Sequence, residues 1–460
     1  ARYKLKFDED EKFSVYVNTI TNMMDPYTEF MPPMDKRYFD EQLSGSFDGI
    51  GAQLAYEEGN IKIAAVMPGG PAQKSGEVEV GDVVVRVGQG KDTPVELAGF
   101  DVTDAVKIIR GKRGTEVGLT LRKKDGSLKT VSMIRDKIVQ DETFVRSAII
   151  NQGTSKIGYI FLPEFYANFN DPTDPRRSAA DVANEIKKLK AENIDGIVLD
   201  LRNNGGGSLS DVVQIAGLFI DKGPIVQVKD RERNPEVLKD NDPGVLWEGP
   251  LTVMVNEFSA SASEIFAAAI QDYGRGIVIG STSTYGKGTV QRSYGLDPAN
   301  FLSTNSDLGS LKLTLQKFYR INGGSTQLKG VNSDIVLPDN LEHLKVREKD
   351  DPDALPWDEI NKATYNDWTL GYDLKTIQQL SNQRLESDVT FKTIKESTDW
   401  LSRQNDKQYS LQIDKYRKEQ ATIRATIKQL ESLLKLEGQL DVSALPNEVN
   451  RWENDKNKQE

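Results

Sequence analysis

The chain has 460 residues, 37% hydrophobic and 28% charged, enough for roughly three domains that bury about three-quarters of the surface an extended chain would expose. That balance excludes collagen-like and wholly disordered classes, although a mean hydropathy of -0.52 announces long polar segments. A net charge of -11 argues against nucleic acid or anionic lipid as a partner, and the absence of cysteine removes disulfides, thiol nucleophiles and Cys metal sites.

Residues 1–46 read as a helical arm, apolar from Phe13 to Ile20 and broken by Asp25-Pro26 and Met31-Pro32-Pro33. The chain starts at Ala1 with neither Met nor a charged-then-apolar leader, which reads as a processed or trimmed product. Over 47–138 the signals become short alternating runs at 52–56, 61–66, 81–87, 117–121 and 129–133, punctuated by Gly and Pro. One amphipathic helix interrupts them, with Val102, Ala105, Val106 and Ile109 on one face, so this is a small β-rich domain carrying a helix.

Over 139–340 strand and helix alternate. Strands at 157–161, 196–201, 251–255 and 276–280 are separated by helices near 178–192, 209–219 and 262–272. This rhythm predicts an α/β core with a mainly parallel sheet, whose chemistry gathers at the carboxyl ends of the strands. From 341 to 460 an acidic stretch around Glu348–Asp353 gives way to polar helical sequence. Its partial stripe of Ile413, Tyr416, Ile423, Ile427, Leu430, Leu434 and Leu436 predicts an exposed helical appendage that frays over 447–460. No apolar run approaches the ~20 residues of a membrane span.

His343, the single histidine, lies in the polar stretch Asn340-Leu341-Glu342-His343-Leu344 and reads as a solvated linker residue. A Ser-His-Asp hydrolase would have to use it, and His-clustered metal catalysis is excluded; no HExxH or EF-hand spacing occurs.

Two strands of the α/β region end unusually. After Asp200-Leu201-Arg202 comes Asn203-Asn204-Gly205-Gly206-Gly207-Ser208, where small residues let bare backbone approach a ligand. After Val255-Asn256 comes Ser259-Ala260-Ser261-Ala262-Ser263-Glu264, opening a helix whose free amides suit a developing oxyanion. The next strand leads to Thr282-Ser283-Thr284-Tyr285-Gly286-Lys287-Gly288-Thr289-Val290-Gln291, at the same sheet end. Taken singly, these motifs read first as an N-capping serine with tight packing and as an ordinary exposed lysine. Together, and without a usable histidine, they suggest a serine hydrolase whose base is a neutral lysine. That base needs its pKa moved from ~10.4 to ~7–8 by apolar burial, for which Tyr285, Phe258 and Ile265 are candidates. Residue chemistry alone leaves Ser259, Ser261 and Ser263 open as nucleophile.

Phe258 to Ala269, the Tyr285–Gln291 loop and Asp200 to Gly207 closely resemble the carboxyl-terminal processing (tail-specific) proteases, and the chain is most similar to their Prc branch. Gln316 to Gln327 and Ala354-Leu355-Pro356-Trp357-Asp358 extend the likeness, which runs from about residue 13 to at least 370. The resemblance implies an α/β multidomain protein: a PDZ domain at 47–138 and a crotonase/ClpP-like protease core at 139–340, flanked by the arm at 1–46 and the helical region at 341–460. It implies Ser261 as nucleophile, Lys287 as general base, Gln291 as supporting amide, and the N–H groups of Gly206 and Ala262 as oxyanion hole, with no cofactor or metal. The loop Ser281-Thr282-Ser283-Thr284 is one residue longer than the family pattern, which bears on the geometry of the base.

Phe47-Asp48-Gly49-Ile50-Gly51-Ala52 is similar to a PDZ carboxylate-binding loop, where successive amides hold a peptide terminus. Gly49, Ile50, Gly51 and Ala52, with Val102 and Val106 across the groove, are therefore the peptide-binding candidates. The likeness further implies substrates with apolar C-termini, a bacterial periplasmic or envelope location, an upstream helical domain and, in the Prc branch, a TPR-type lipoprotein adaptor. The rival readings are a catalytically idle PDZ scaffold and a crotonase-type acyl-CoA enzyme; the second explains neither the PDZ-like segment nor Lys287.

Overall fold

Val117, Leu119 and Leu121, each fully buried, alternate with more exposed neighbours along the strand Glu116–Arg122. That is the two-residue period of a sheet with one face on a core. The computed structural model describes residues 9–57, 59–169, 174–296, 308–368, 371–434, 438–446 and 448–449. It divides into two units, residues 34–143 and residues 1–33 together with 144–460.

In the first unit, Ala52–Glu57, Asn60–Val66, Val83–Gln89, Glu116–Arg122 and Leu128–Ile134 lie in that order in one sheet, with Val95–Glu96 beside Val83–Gln89. The helix Val102–Ile109 begins at Asp101, whose carboxylate accepts from Asp104 N (2.9 Å), an N-cap. It buries Ala105 and Ile109 among Ile61, Ile63, Val84 and Leu119. Val102 and Val106, one helical step away, stay half-buried.

The second unit holds a seven-stranded sheet ordered Ile335–Val336, Ile277–Gly280, Leu251–Val255, Gly196–Asp200, Ser155–Phe161, Arg146–Gln152 and Asp441–Ser443. The first five run parallel, and the last two pair antiparallel at one edge. Helices Ser178–Ala191, Leu209–Gly217 and Ala262–Asp272 supply Val182, Ile186, Ile215, Phe266 and Ile270, all fully buried, to one continuous core. The parallel strands and these helices follow the expectation from alternating periodicity.

Three features depart from it. A second sheet, absent from the sequence reading, joins Gly223–Lys229, Glu236–Asp240, Thr289–Gly295 and Ser310–Tyr319 to the arm strand Glu29–Met31. Phe30 and Met31 are buried there, so this end of the arm packs as a strand of the second unit. The C-terminal helices Leu374–Ser387, Val389–Asn405 and Ile413–Leu433 bury only a small cluster of Ile394, Leu401 and Leu430. Of the expected stripe, Leu430 is buried and Ile413, Tyr416, Ile427 and Leu434 are exposed; Leu436 and most of 447–460 lie outside the described residues. The region is nonetheless anchored, because Asp441–Ser443 adds to the sheet and Leu445 enters the main core. Among the described residues no helix is long and apolar enough to cross a membrane.

Candidate active site

The strand Leu251–Val255 ends in a turn that delivers Ser261 to the N-terminus of the helix Ala262–Asp272. Ser261 has φ 55 and ψ -111, a conformation that costs a side-chain-bearing residue energy and persists only where its surroundings over-determine it. A serine on a strained strand-to-helix turn is the geometry of a nucleophile elbow. The neighbours supply the restraint. Ser259 Oγ donates to Leu201 O (2.8 Å) and accepts from Asn256 N (2.9 Å), while Ser263 Oγ donates to Asn204 O (2.9 Å). Both serines are fully buried, so of the three only Ser261 is open to a substrate.

Glu264 joins this turn to the lysine loop. Its Oε2 accepts from Ser261 N (2.8 Å) and Lys287 N (2.9 Å), and its Oε1 from Gly286 N (2.7 Å) and Thr284 Oγ1 (2.6 Å). Two amides sharing one oxygen keep the Ser261 and Lys287 backbones within ~6 Å of each other. Glu264 is fully buried, and burial pushes its carboxyl up to about 8 against the four donors that favour the ion.

Burial pushes the Lys287 amine down to about 8, assisted by repulsion from Lys312 and opposed by Glu348, Glu264 and Asp25. Its Nζ lies 4.1 Å from the ring centroid of Tyr27. Lowering the pKa from 10.5 to about 8 withdraws ~3 kcal/mol from the ammonium, more than the ~1–2 kcal/mol a phenol face returns to a cation. Among the described hydrogen bonds none joins Lys287 Nζ to Ser261 Oγ, so the two backbones are brought together while the amine rests on the tyrosine. Tyr285 shares this pocket, its hydroxyl 3.5 Å from that of Tyr27. Of the other residues expected around the amine, Phe258 is half-buried and Ile265 is buried in the main core.

Gly206 packs directly on Ser261. A Cβ there would lie 2.8 Å from Ser261 Cβ and 3.1 Å from Ala262 N, and φ is 115, so space and backbone both demand glycine. Its N–H donates to Asn204 Oδ1 (2.9 Å), within its own turn, and the Ala262 amide opens the helix beside it. Gln291 stands at a register shift in the pair Thr289–Gly295 with Ser310–Tyr319, and its Nε2 donates to Thr289 Oγ1 (2.9 Å) and Thr314 Oγ1 (3.0 Å). It makes no described hydrogen bond to Lys287. His343 is half-buried, with Nδ1 3.0 Å from Asn340 O, and takes no part here.

In the other unit, Ile50, Gly51, Ala52, Val102 and Val106 line a cavity of ≈ 280 Å³ together with Phe47, Leu54, Met67 and Arg110. Gly51 has φ 72 and packs against Gly70, with 3.1 Å between its Cβ position and Gly70 Cα; Gly49 ends the short strand Ser46–Gly49. Among the described residues Ala52–Glu57 pairs only with Asn60–Val66 and so presents a free edge to an added strand.

Residues 156–337 match peptidase family S41, residues 40–122 the PDZ domain and residues 341–460 the C-terminal domain of tail specific protease. The chain is 39% identical over 359 residues to the tail-specific protease of Haemophilus influenzae, covering 77% of this chain and 50% of that protein. It is 31% identical over 382 residues to the carboxy-terminal processing protease CtpA of Bacillus subtilis, covering 82% and 72%. The chain belongs to the carboxyl-terminal processing serine proteases of family S41. It spans half the length of the Haemophilus relative. A PDZ domain of the carboxy-terminal protease from Vibrio cholerae, solved in complex with a peptide, is 35% identical and covers 20% of this chain and 97% of its own, with a TM-score of 0.20.

Within this S41 framework, sequence reasoning assigned no role to Glu264, Thr284, Tyr27 or Glu348. Glu264 had a signal: Ser261-Ala262-Ser263-Glu264 has the spacing of a capping box. Tyr27 and Glu348 had none, because they reach the site from far along the chain.

Proposed function

We propose that this chain is a serine endopeptidase with a Ser261–Lys287 dyad that recognises protein C-termini through its PDZ domain and processes or degrades those proteins in the bacterial envelope. The observation that carries the reading is the desolvated Lys287 amine on a loop that Glu264 ties to the strained Ser261 turn. Neutral Lys287 takes the Ser261 proton as Oγ bonds to the scissile carbonyl carbon. Collapse of the tetrahedral adduct breaks the C–N bond and returns the proton to the leaving amine, and water then hydrolyses the ester. Ala262 N–H holds the developing oxyanion, joined by Gly206 N–H once that group turns from Asn204 Oδ1. Gln291 steadies the amine through its side-chain carbonyl oxygen.

A tail of apolar character adds as a strand along Ala52–Glu57, its carboxylate at Gly49, Ile50, Gly51 and Ala52 and its side chains against Val102 and Val106. The resemblance to the Prc branch read from the sequence, with a Haemophilus tail-specific protease among the relatives, is what a periplasmic location and a TPR-type lipoprotein adaptor rest on. A fluorophosphonate probe should label the wild type and not Ser261→Ala, and cleavage of an unfolded protein with an apolar C-terminus should vanish in Lys287→Ala. Because the base acts only when neutral, kcat/KM rises with pH through an inflection near the lysine's value of about 8. No labelling of the wild type, or binding of tails with no cleavage at any pH, would leave the idle scaffold standing, and labelling that survives Ser261→Ala would place the nucleophile elsewhere.

A further inference from the structure

The segment Asp25–Thr28 lies ahead of the residues that the family models match, which begin at residue 40, yet it touches the surroundings of both Lys287 and Gln291. Pairing of Glu29–Met31 with Ser310–Tyr319 holds it in place, Glu29 opposite Lys312. We propose that Asp25–Thr28 is a positioning element of the dyad, seating the Lys287 amine through Tyr27 and the Gln291 amide through Asp25 and Thr314. This inference rests on the reading of Lys287 as the base.

Tyr27 is fixed at both ends. Its N–H donates to Asp25 Oδ1 (2.9 Å), and its hydroxyl donates to the Glu348 carboxylate. Glu348 is held in turn by Gln327 Nε2 (2.8 Å), whose Oε1 accepts from Gly288 N (2.8 Å), the residue after the lysine. The ring therefore cannot leave Lys287 without breaking a chain of bonds that returns to the lysine loop. Lying over the ammonium, it excludes water, the first cause of the amine's perturbation. Among the described residues the charged groups that act most on the amine are Lys312, Glu348, Glu264 and Asp25, with Tyr285 beside Tyr27.

Asp25 acts through a constraint on hydrogens. Its carboxylate is buried and accepts from Thr28 Oγ1 (2.5 Å) and Thr314 Oγ1 (2.8 Å). A threonine hydroxyl has one hydrogen, so with that hydrogen given to Asp25, Thr314 Oγ1 can only accept from Gln291. This fixes Nε2 of Gln291 toward Thr314 and leaves Oε1, the atom that can accept from an ammonium, turned away from the threonines.

The test reads the amine apart from catalysis. In full-length Ser261→Ala protein, acetylation of Lys287 by acetic anhydride, followed by peptide mass spectrometry across pH, gives the midpoint of the neutral amine. Adding Tyr27→Ala should raise that midpoint by ~1 or more, toward that of an ordinary lysine, whereas Tyr27→Phe, which keeps the covering ring but gives up its anchor to Glu348, should raise it by less than Tyr27→Ala does. Equal midpoints in all three overturn the role of Tyr27. In the active enzyme, Thr314→Val should lower kcat ~10-fold with KM within about twofold, and Thr314→Ser should restore it. Unchanged kcat in Thr314→Val, or a loss that Thr314→Ser does not restore, overturns the role of Asp25. Failure of the dyad reading is separate: it would show as proteolysis persisting in Lys287→Ala, whatever the labelling midpoints.

Discussion

Lys287 is a charged residue held where charge is disfavoured, and its stability cost has a definite sign. With a folded value of about 8 against 10.5 for the free side chain, the penalty is complete below about 8 and disappears as pH rises toward 10.5. Lys287→Met should therefore abolish turnover while stabilising the fold by ~1–3 kcal/mol at pH 7, the gain shrinking at pH 10. Urea unfolding at the two pH values checks this, and a gain equal at both would contradict it. Glu257, four residues before Ser261, behaves oppositely. It is fully buried, neither carboxylate oxygen has a partner among the described residues, and burial followed by repulsion from Asp339 pushes it up to about 7. The folded state thus holds its proton, and stability is lost as pH rises from the ordinary 4.5 through about 7. Glu257→Gln should be near-neutral at pH 4 and stabilising by ~2–3 kcal/mol at pH 8, measured by denaturant titration.

At the scale of elements, the site is a seam between two strand ends. The helix Ala262–Asp272 and the loop before Thr289–Gly295 are joined by one side chain, Glu264, which satisfies four donors. Glu264→Gln keeps the volume but offers one acceptor oxygen in place of two, stranding buried donors. It should cost ~2–4 kcal/mol and lower kcat at least tenfold with little change in KM, as read by thermal melting and steady-state kinetics. Wild-type melting with full kcat would remove Glu264 from the account. The three serines show how far local pattern reaches. Ser259, Ser261 and Ser263 are equivalent as letters, and burial, which depends on the Asn203–Gly207 turn packing against them, separates them.

Across the whole molecule, the unit of residues 34–143 offers a groove and a free strand edge, while the other carries the chemistry. If tails are selected in the groove, Val106→Asp should raise KM for a substrate with an apolar C-terminus ~10-fold and leave kcat unchanged, because the change disturbs binding rather than bond breaking. A fall in kcat at constant KM would place Val106 elsewhere in the mechanism.

Much of this architecture is legible in the chain itself. Period-two runs mark the sheet of the first unit, and strand–helix alternation marks the parallel core, because side-chain periodicity is a local consequence of burial on one face. The motifs around Ser261, Lys287 and Gly206 are likewise contiguous. What tertiary structure alone decided is the environment that gives those motifs their chemistry. The second sheet, with Glu29–Met31 as a strand, carries Tyr27 to an amine some 260 positions away, and Glu348 arrives from the other side. Desolvation is a sum over everything near an atom in space, and no local pattern records which distant segments will be there.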